Sequence, residues 1–331
     1  MTPAVRRRLV ALCIVAVVLF AALNVVAYRH AWRMTHFVAT GSRTESPQKL
    51  SVLGKLVVLF QGVEIRKPTV SVVPAKSPQP SRTVNFVTRD GVKLEAWDIP
   101  ATPEQGVAVM FHGYAVSRQA LLGEAGVLHE LGWRTVLVDF RGSGGSEGWV
   151  TTLGWNEAED VAAAAKWARH EWPSARILLS GQSMGAAAEL RAMATKGVTA
   201  DGIVAECPFD RFLTTVGRRY HRMGLPAFPF AELLVFWGGV QIGFNAFEHN
   251  PVTYASAVTC PALVLGGEHD PWVRPDETRR VASAVRGRTE CIIFENGGHC
   301  GFWRDVPAEY RKILGEWLAT IPANRKSDTG K

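Results

Sequence analysis

Two stretches of the chain match the pattern Gly-x-Ser-x-Gly: Gly181-Gln182-Ser183-Met184-Gly185 and Gly144-Gly145-Ser146-Glu147-Gly148. A serine hydroxyl becomes a nucleophile when a base takes its proton. Context separates the two matches. Ser183 follows the apolar run Ile177–Ser180 and opens an Ala-rich helical stretch, Met184–Lys196. Strand, sharp turn and helix in that order lift a serine oxygen above the carboxyl end of a sheet, with small residues on either side because backbone and helix approach closely. Ser146 lies in a Gly-rich loop with no helix after it, and reads as a chain turn near the site.

The base must come from nine histidines. His30 and His36 flank an apolar N-terminal run, His129 and His170 fall in helical stretches, and His221 and His249 lie in a strand-free region. Of His112, His269 and His299, the last is the expected base, because it follows the final apolar strand in the loop Asn296–His299 and completes the order Ser, Asp, His. The acid that fixes its tautomer is expected to be Asp270, just beyond the run Ala262–Leu265, with Asp210 and then Glu268 as alternatives. Each of the three could instead cap a helix or turn. An oxyanion needs backbone N–H donors. Met184, after the nucleophile, supplies one; Tyr114, in Phe111-His112-Gly113-Tyr114, is the choice for the second. His112 is expected to hold that loop.

These residues need a rigid frame. Thr83–Thr88 and Val92–Ile99 flank Asp90-Gly91, a hairpin signal. Unbroken apolar runs follow at Val107–Phe111, Thr135–Phe140, Ile177–Ser180, Gly202–Ala205, Ala262–Leu265 and Cys291–Phe294, as in parallel strands buried on both faces. Helical patterns separate them, notably Asn156–Trp172, acidic at its start and basic at its end. The expected fold class is α/β: a mostly parallel eight-stranded sheet flanked by helices, over residues 83–320. A helical cap insertion is expected at 208–259, where fifty strandless residues include the apolar run Leu225–Phe244. Two Pro, Glu232 and Gly238-Gly239 argue for a cap there over a second membrane span. An apolar cap suggests an apolar substrate moiety.

The net charge of +7 is unevenly spread. Residues 1–82 hold twelve Lys/Arg and two Asp/Glu, a net of +10; residues 83–331 hold 25 and 28, a net of −3. A nucleic-acid-binding domain carries its positive charge on the folded domain, so nucleic acid is not an expected partner and a membrane surface is. After a short basic tail, 1–8, the uncharged run 9–28 is long enough for a transmembrane helix and longer than a signal-peptide core. The Arg6-Arg7-Arg8 cluster favours a single pass with the main domain extracytoplasmic. Residues 29–82 read as a juxtamembrane segment and Pro-rich linker. Within it Leu53, Leu56, Val57, Phe60 and Val63 repeat at helical spacing, for a short helix expected to pack on the domain. Residues 321–331 read as a tail. Of five cysteines, Cys260 and Cys291 begin neighbouring expected strands, which allows a disulfide.

The ordered set His112-Gly113, Asp139–Ser146, Gly181–Gly185, Asp270 and Gly298-His299 resembles the α/β-hydrolase fold serine hydrolases, over about 240 residues. The resemblance extends to membrane-anchored lipases and esterases and to the serine aminopeptidase-like branch. It implies an esterase, lipase, thioesterase or peptidase that works through an acyl-enzyme, with no metal or organic cofactor and a small-molecule ester or lipid as substrate. The oxyanion loop departs from the H-G-G-G form of some esterases. A peptidase would need an acid for the peptide amine, with Glu147, Glu206 or Glu232 to provide it. A reading from another class is a non-catalytic membrane-anchored binding protein that keeps the fold. Oligomeric state is left open.

Overall fold

The computed structural model describes residues 2–40, 44, 51–71 and 77–322. The Pro74 part of the linker and most of the expected tail lie outside them. Eight strands occur: β1 (Arg82–Val87), β2 (Lys93–Ile99), β3 (Gly106–Phe111), β4 (Trp133–Val138), β5 (Ile177–Gln182), β6 (Gly202–Glu206), β7 (Ala262–Gly267) and β8 (Thr289–Phe294). The helices are α1 (Pro3–Thr35), α2 (Val52–Gln61), α3 (Leu122–Glu130), α4 (Glu157–Glu171), α5 (Met184–Lys196), α6 (Phe212–Arg222), α7 (Phe230–Ile242), α8 (Pro251–Ala255), α9 (Pro275–Ala284), α10 (Phe302–Asp305) and α11 (Pro307–Leu318). The chain divides into two compact units, Met1–Arg66 with Val216–Glu248, and Lys67–Thr215 with His249–Lys331.

The second unit holds the sheet, in the order β1-β2-β4-β3-β5-β6-β7-β8. The β1/β2 and β2/β4 junctions are antiparallel and the rest are parallel. All six residues of β3 and of β5 are buried, which is why those strands read as unbroken apolar runs. Alternate side chains serve two cores. Val107, Val109 and Phe111 join residues of α4, α5 and α9 on one face. Ala108 and Met110 join Leu122, Leu128, Leu314 and Trp317 from α3 and α11 on the other. Helices on both faces leave the carboxyl ends of the parallel strands as the place where loops converge.

The described start of the expected linker is strapped to this unit. Lys67 Nζ donates to the carbonyls of Ser146 (2.8 Å) and Gly148 (3.1 Å), and Gly144 N–H donates to Pro68 O (2.8 Å).

In the first unit α1 runs beyond the apolar stretch at both ends. At 33 residues it is ~50 Å long, and it is long and apolar enough to cross a membrane. Its carboxyl half packs on α7: Trp237 Nε1 donates to Asn24 Oδ1 (3.1 Å), Gln241 Nε2 donates to Tyr28 O (2.8 Å), and Trp237 meets Tyr28 edge to face. The strandless stretch is thus helical, and α7 is a neighbour of the N-terminal helix. With 13 residues, α7 reaches only ~20 Å, short of a bilayer core. The expected short helix forms as α2, with the Ser51 hydroxyl accepting from Gly54 N–H (3.1 Å). Leu53, Val57 and Phe60 on it are exposed.

The proposed Cys260–Cys291 disulfide is also corrected. Both thiols are free. Cys291 stands opposite Val264 in the β7/β8 register, while Cys260 precedes β7. Four residues of extended chain span ~13 Å, too far for an S–S bond, which needs Cα atoms under ~7 Å apart.

Candidate active site

Ser183 sits between β5 and α5 with φ 52° and ψ −105°, a left-handed conformation that an L residue holds only when its surroundings impose it. The flanking glycines are part of that imposition. A Cβ on Gly181 would lie 2.5 Å from Ala186 N, and one on Gly185 would collide with the Phe111 carbonyl oxygen. Ser183 N–H donates to Glu206 O (2.8 Å), which ties the turn to the end of β6.

His299 reaches this serine from the loop after β8. Its Nε2 is 3.0 Å from Ser183 Oγ and its Nδ1 is 2.7 Å from Asp270 Oδ2. Asp270 is held in turn. Its Oδ1 accepts from Trp272 N–H (2.7 Å) and Val273 N–H (3.0 Å), so only Oδ2 faces the ring. With a carboxylate accepting from Nδ1–H, Nε2 is left as the acceptor for the serine proton. Burial alone would lower the His299 pKa; the hydrogen bond to Asp270 and the Cys207 sulfur outweigh it and raise the pKa above its ordinary 6.5. Hydroxyl, imidazole and carboxylate in this order can move one proton off the serine and return it later.

The alternatives for the acid are placed elsewhere. Asp210 is buried against Arg280, whose Nε donates to its Oδ2 (2.8 Å). Glu268 and His269 are both exposed. His249 is fully buried, with Nε2 2.9 Å from Leu153 O, and burial lowers its pKa to about 4.

The loop after β3 is pinned by His112. Its Nδ1 donates to Gly113 O (2.7 Å) and its Nε2 accepts from Phe140 N–H (3.1 Å). Its pKa is lowered by burial, and this pattern requires the neutral ring. Gly113 lies beside Ser183: a Cβ there would be 3.6 Å from Gln182 O and 3.8 Å from Ser183 Cβ. Tyr114 follows it. Met184 is the first residue of α5, where N–H groups have no carbonyl partner within the helix.

Behind the loop is a buried ionic network that sequence reasoning missed. Asp139 accepts from Arg118 N–H (2.7 Å), Arg118 Nη1 (2.5 Å) and Gly145 N–H (2.9 Å). Ser146 Oγ donates to Asp139 O (2.7 Å) and accepts from Glu95 N–H (2.9 Å), so the second Gly-x-Ser-x-Gly serine is spent on holding the turn. Arg118 carries no motif; only the lone acid Asp139 at the end of an apolar strand hints that a buried cation is needed.

The geometry has counterparts among known proteins. Residues 102–228 match the family model described as serine aminopeptidase, S33. The solved structure of the Pyrococcus furiosus esterase Pf2001 superposes with a TM-score of 0.62 at 26% identity, covering 76% of this chain and 97% of that one. The Arabidopsis thaliana α/β hydrolase domain-containing protein WAV2 is 23% identical over 297 residues, 83% of this chain and 93% of its own. The uncharacterized protein Rv2307c of Mycobacterium tuberculosis is 30% identical over 239 residues, 70% of this chain and 78% of its own. This chain belongs to the α/β-hydrolase family.

In this α/β-hydrolase the peptidase alternatives fare unevenly. Glu206 is fully buried and accepts from Tyr310 Oη (2.7 Å) and Gln182 Nε2 (3.3 Å). Its pKa rises to about 7 through burial. Glu147 is exposed and accepts from Lys93 N–H (3.1 Å). Glu232 belongs to the first unit, on α7.

Proposed function

We propose that this hydrolase cleaves carboxylic esters through Ser183, His299 and Asp270 and is anchored in a membrane by α1, with its catalytic unit extracytoplasmic. His299, oriented by Asp270, takes the Ser183 proton as Oγ attacks the carbonyl carbon. The Met184 and Tyr114 N–H groups receive the oxyanion. His299 returns the proton to the leaving alcohol, and a water deprotonated by the same ring releases the acid. The observation that carries this reading is the linked pair of contacts, Oγ to Nε2 at 3.0 Å and Nδ1 to Oδ2 at 2.7 Å, on a serine forced into the left-handed region.

An ester substrate is supported by the likeness to the Pyrococcus furiosus esterase, and a lipid-like acyl group by the apolar run Leu225–Phe244 in the sequence. The anchor is supported by the length and exposure of α1, and the orientation by Arg6-Arg7-Arg8. A second reading, aminoacyl hydrolysis, draws on the serine aminopeptidase family model. A panel of p-nitrophenyl esters from acetate to laurate beside aminoacyl p-nitroanilides tests both, with Ser183→Ala as control. Faster turnover of the longer esters, abolished in Ser183→Ala, is expected. Full ester hydrolysis by Ser183→Ala would overturn the assignment, and a flat chain-length profile would overturn the lipid-like substrate.

A further inference from the structure

Two cysteines beside His299 take no bond-making step in the chemistry above. Cys207 follows β6 and Cys300 follows His299. Both are buried, and both hold left-handed backbone angles, φ 48° and 59°. Their surroundings turn the two sulfurs toward each other. Cys300 N–H donates to Cys207 Sγ (3.1 Å), and Cys300 Sγ–H points to Glu206 O at 3.7 Å. A ring nitrogen of His299 and the two sulfurs all lie within 4.8 Å of one another.

Two thiols and an imidazole are the donors preferred by zinc, and sulfur excludes the hard ions Mg²⁺ and Ca²⁺. With Zn–S near 2.3 Å and Zn–N near 2.0–2.1 Å, tetrahedral ligand atoms stand about 3.3–3.8 Å apart. Side-chain shifts of about 1 Å therefore close the cluster on an ion. The buried sulfurs supply a floor, and His299, with 23% of its side chain exposed, supplies the approach. Three protein ligands leave a fourth position for water.

We propose that Cys207, His299 and Cys300 bind Zn²⁺ and that the ion switches the hydrolase off by occupying His299. This regulatory role rests on His299 being the base. Binding forms two Zn–S bonds and one Zn–N bond and releases the two thiol protons to solvent, with no change of oxidation state. While the ion is bound, the imidazole lone pair is committed to metal and cannot take the serine proton. A chelator restores the ring.

The test uses the full chain in detergent, reduced and freed of metal. Co²⁺ serves as the spectroscopic probe and Zn²⁺ as the inhibitor. One equivalent of Co²⁺ is expected to produce a thiolate-to-cobalt charge-transfer band and tetrahedral visible bands. Both are expected to disappear in Cys207→Ala and Cys300→Ala. Zn²⁺ in slight excess is expected to slow ester hydrolysis about tenfold or more, reversibly with chelator. The ratio of rates without and with Zn²⁺, read within each protein, is expected to fall to near one in both cysteine variants. Absence of a thiolate band in the wild type overturns the site, as does a band that survives loss of both sulfurs. Inhibition unchanged in the cysteine variants overturns the switch. Ser183→Ala is expected to keep the band at full strength. A band there, with no hydrolysis by the wild type on any substrate, supports the metal site and overturns the hydrolytic reading.

Discussion

Replacing Asp270 with Asn tests how the imidazole is set. The backbone already decides which way the new amide faces. Trp272 and Val273 N–H groups donate to the Oδ1 position at 2.7 and 3.0 Å, and only an oxygen can accept them. The amide nitrogen must therefore occupy the Oδ2 position, 2.7 Å from His299 Nδ1, where it donates. Nδ1 becomes an acceptor, and the ring proton moves to Nε2, the atom facing Ser183 Oγ. A protonated Nε2 cannot take the serine proton, so the base is present but in the wrong tautomer. Loss of the base in this way lowers kcat by about 10⁴, or about 5.5 kcal/mol of barrier. Stability is expected to change little, because both backbone hydrogen bonds and the contact to Nδ1 persist. The assay is kcat on a short p-nitrophenyl ester, with Tm measured on the same samples. A variant that keeps kcat within tenfold of wild type at unchanged Tm would refute the assignment of Asp270. A large fall in Tm would refute the orientation derived for the amide.

Three further outcomes are expected. Because the His299 pKa is raised and the neutral ring is the base, kcat/KM in chelator-treated buffer is expected to fall on acidification with a midpoint above 6.5; a midpoint at or below 6.5 contradicts this. Burial raises the carboxyls of Glu124, to about 8, and Glu206, to about 7. Each then holds its proton in the folded state after the unfolded chain has lost it, so the stability each contributes falls as pH rises from about 4.5 to 8. The Tm of Glu124→Gln relative to wild type is expected to rise over that window; a relative Tm that falls would contradict the sign. In Gly181→Ala the new Cβ sits 2.5 Å from Ala186 N and must displace the elbow by nearly 1 Å. Activity is expected to drop about 100-fold with about 1–3 kcal/mol of destabilisation, read by kcat and urea unfolding.

Much of the fold was legible in the sequence because its signals are local. Each buried parallel strand is an unbroken apolar run, and the elbow is announced by glycines that the close approach of α5 requires. The order of Ser183, Asp270 and His299 was legible because each follows its own strand at the same edge of the sheet. What escaped is long-range. Arg118 meets Asp139 only after β3 and β4 pair, and Arg118 carries no local pattern. Cys207 and Cys300 are 93 residues apart and become neighbours because β6 and the His299 loop end together. Register decided against Cys260 and Cys291, since the start of an apolar run is a poor guide to the start of pairing. The contact of α7 with α1 rests on Asn24, Tyr28, Trp237 and Gln241, polar or amphipathic side chains that an apolarity count passes over.

The most direct measurement of the central claim is labelling by a fluorophosphonate probe, followed by mapping of the modified peptide. One adduct per chain is expected, on Ser183, absent from Ser183→Ala and strongly slowed in His299→Ala. No adduct, or an adduct on another serine such as Ser146, would contradict it.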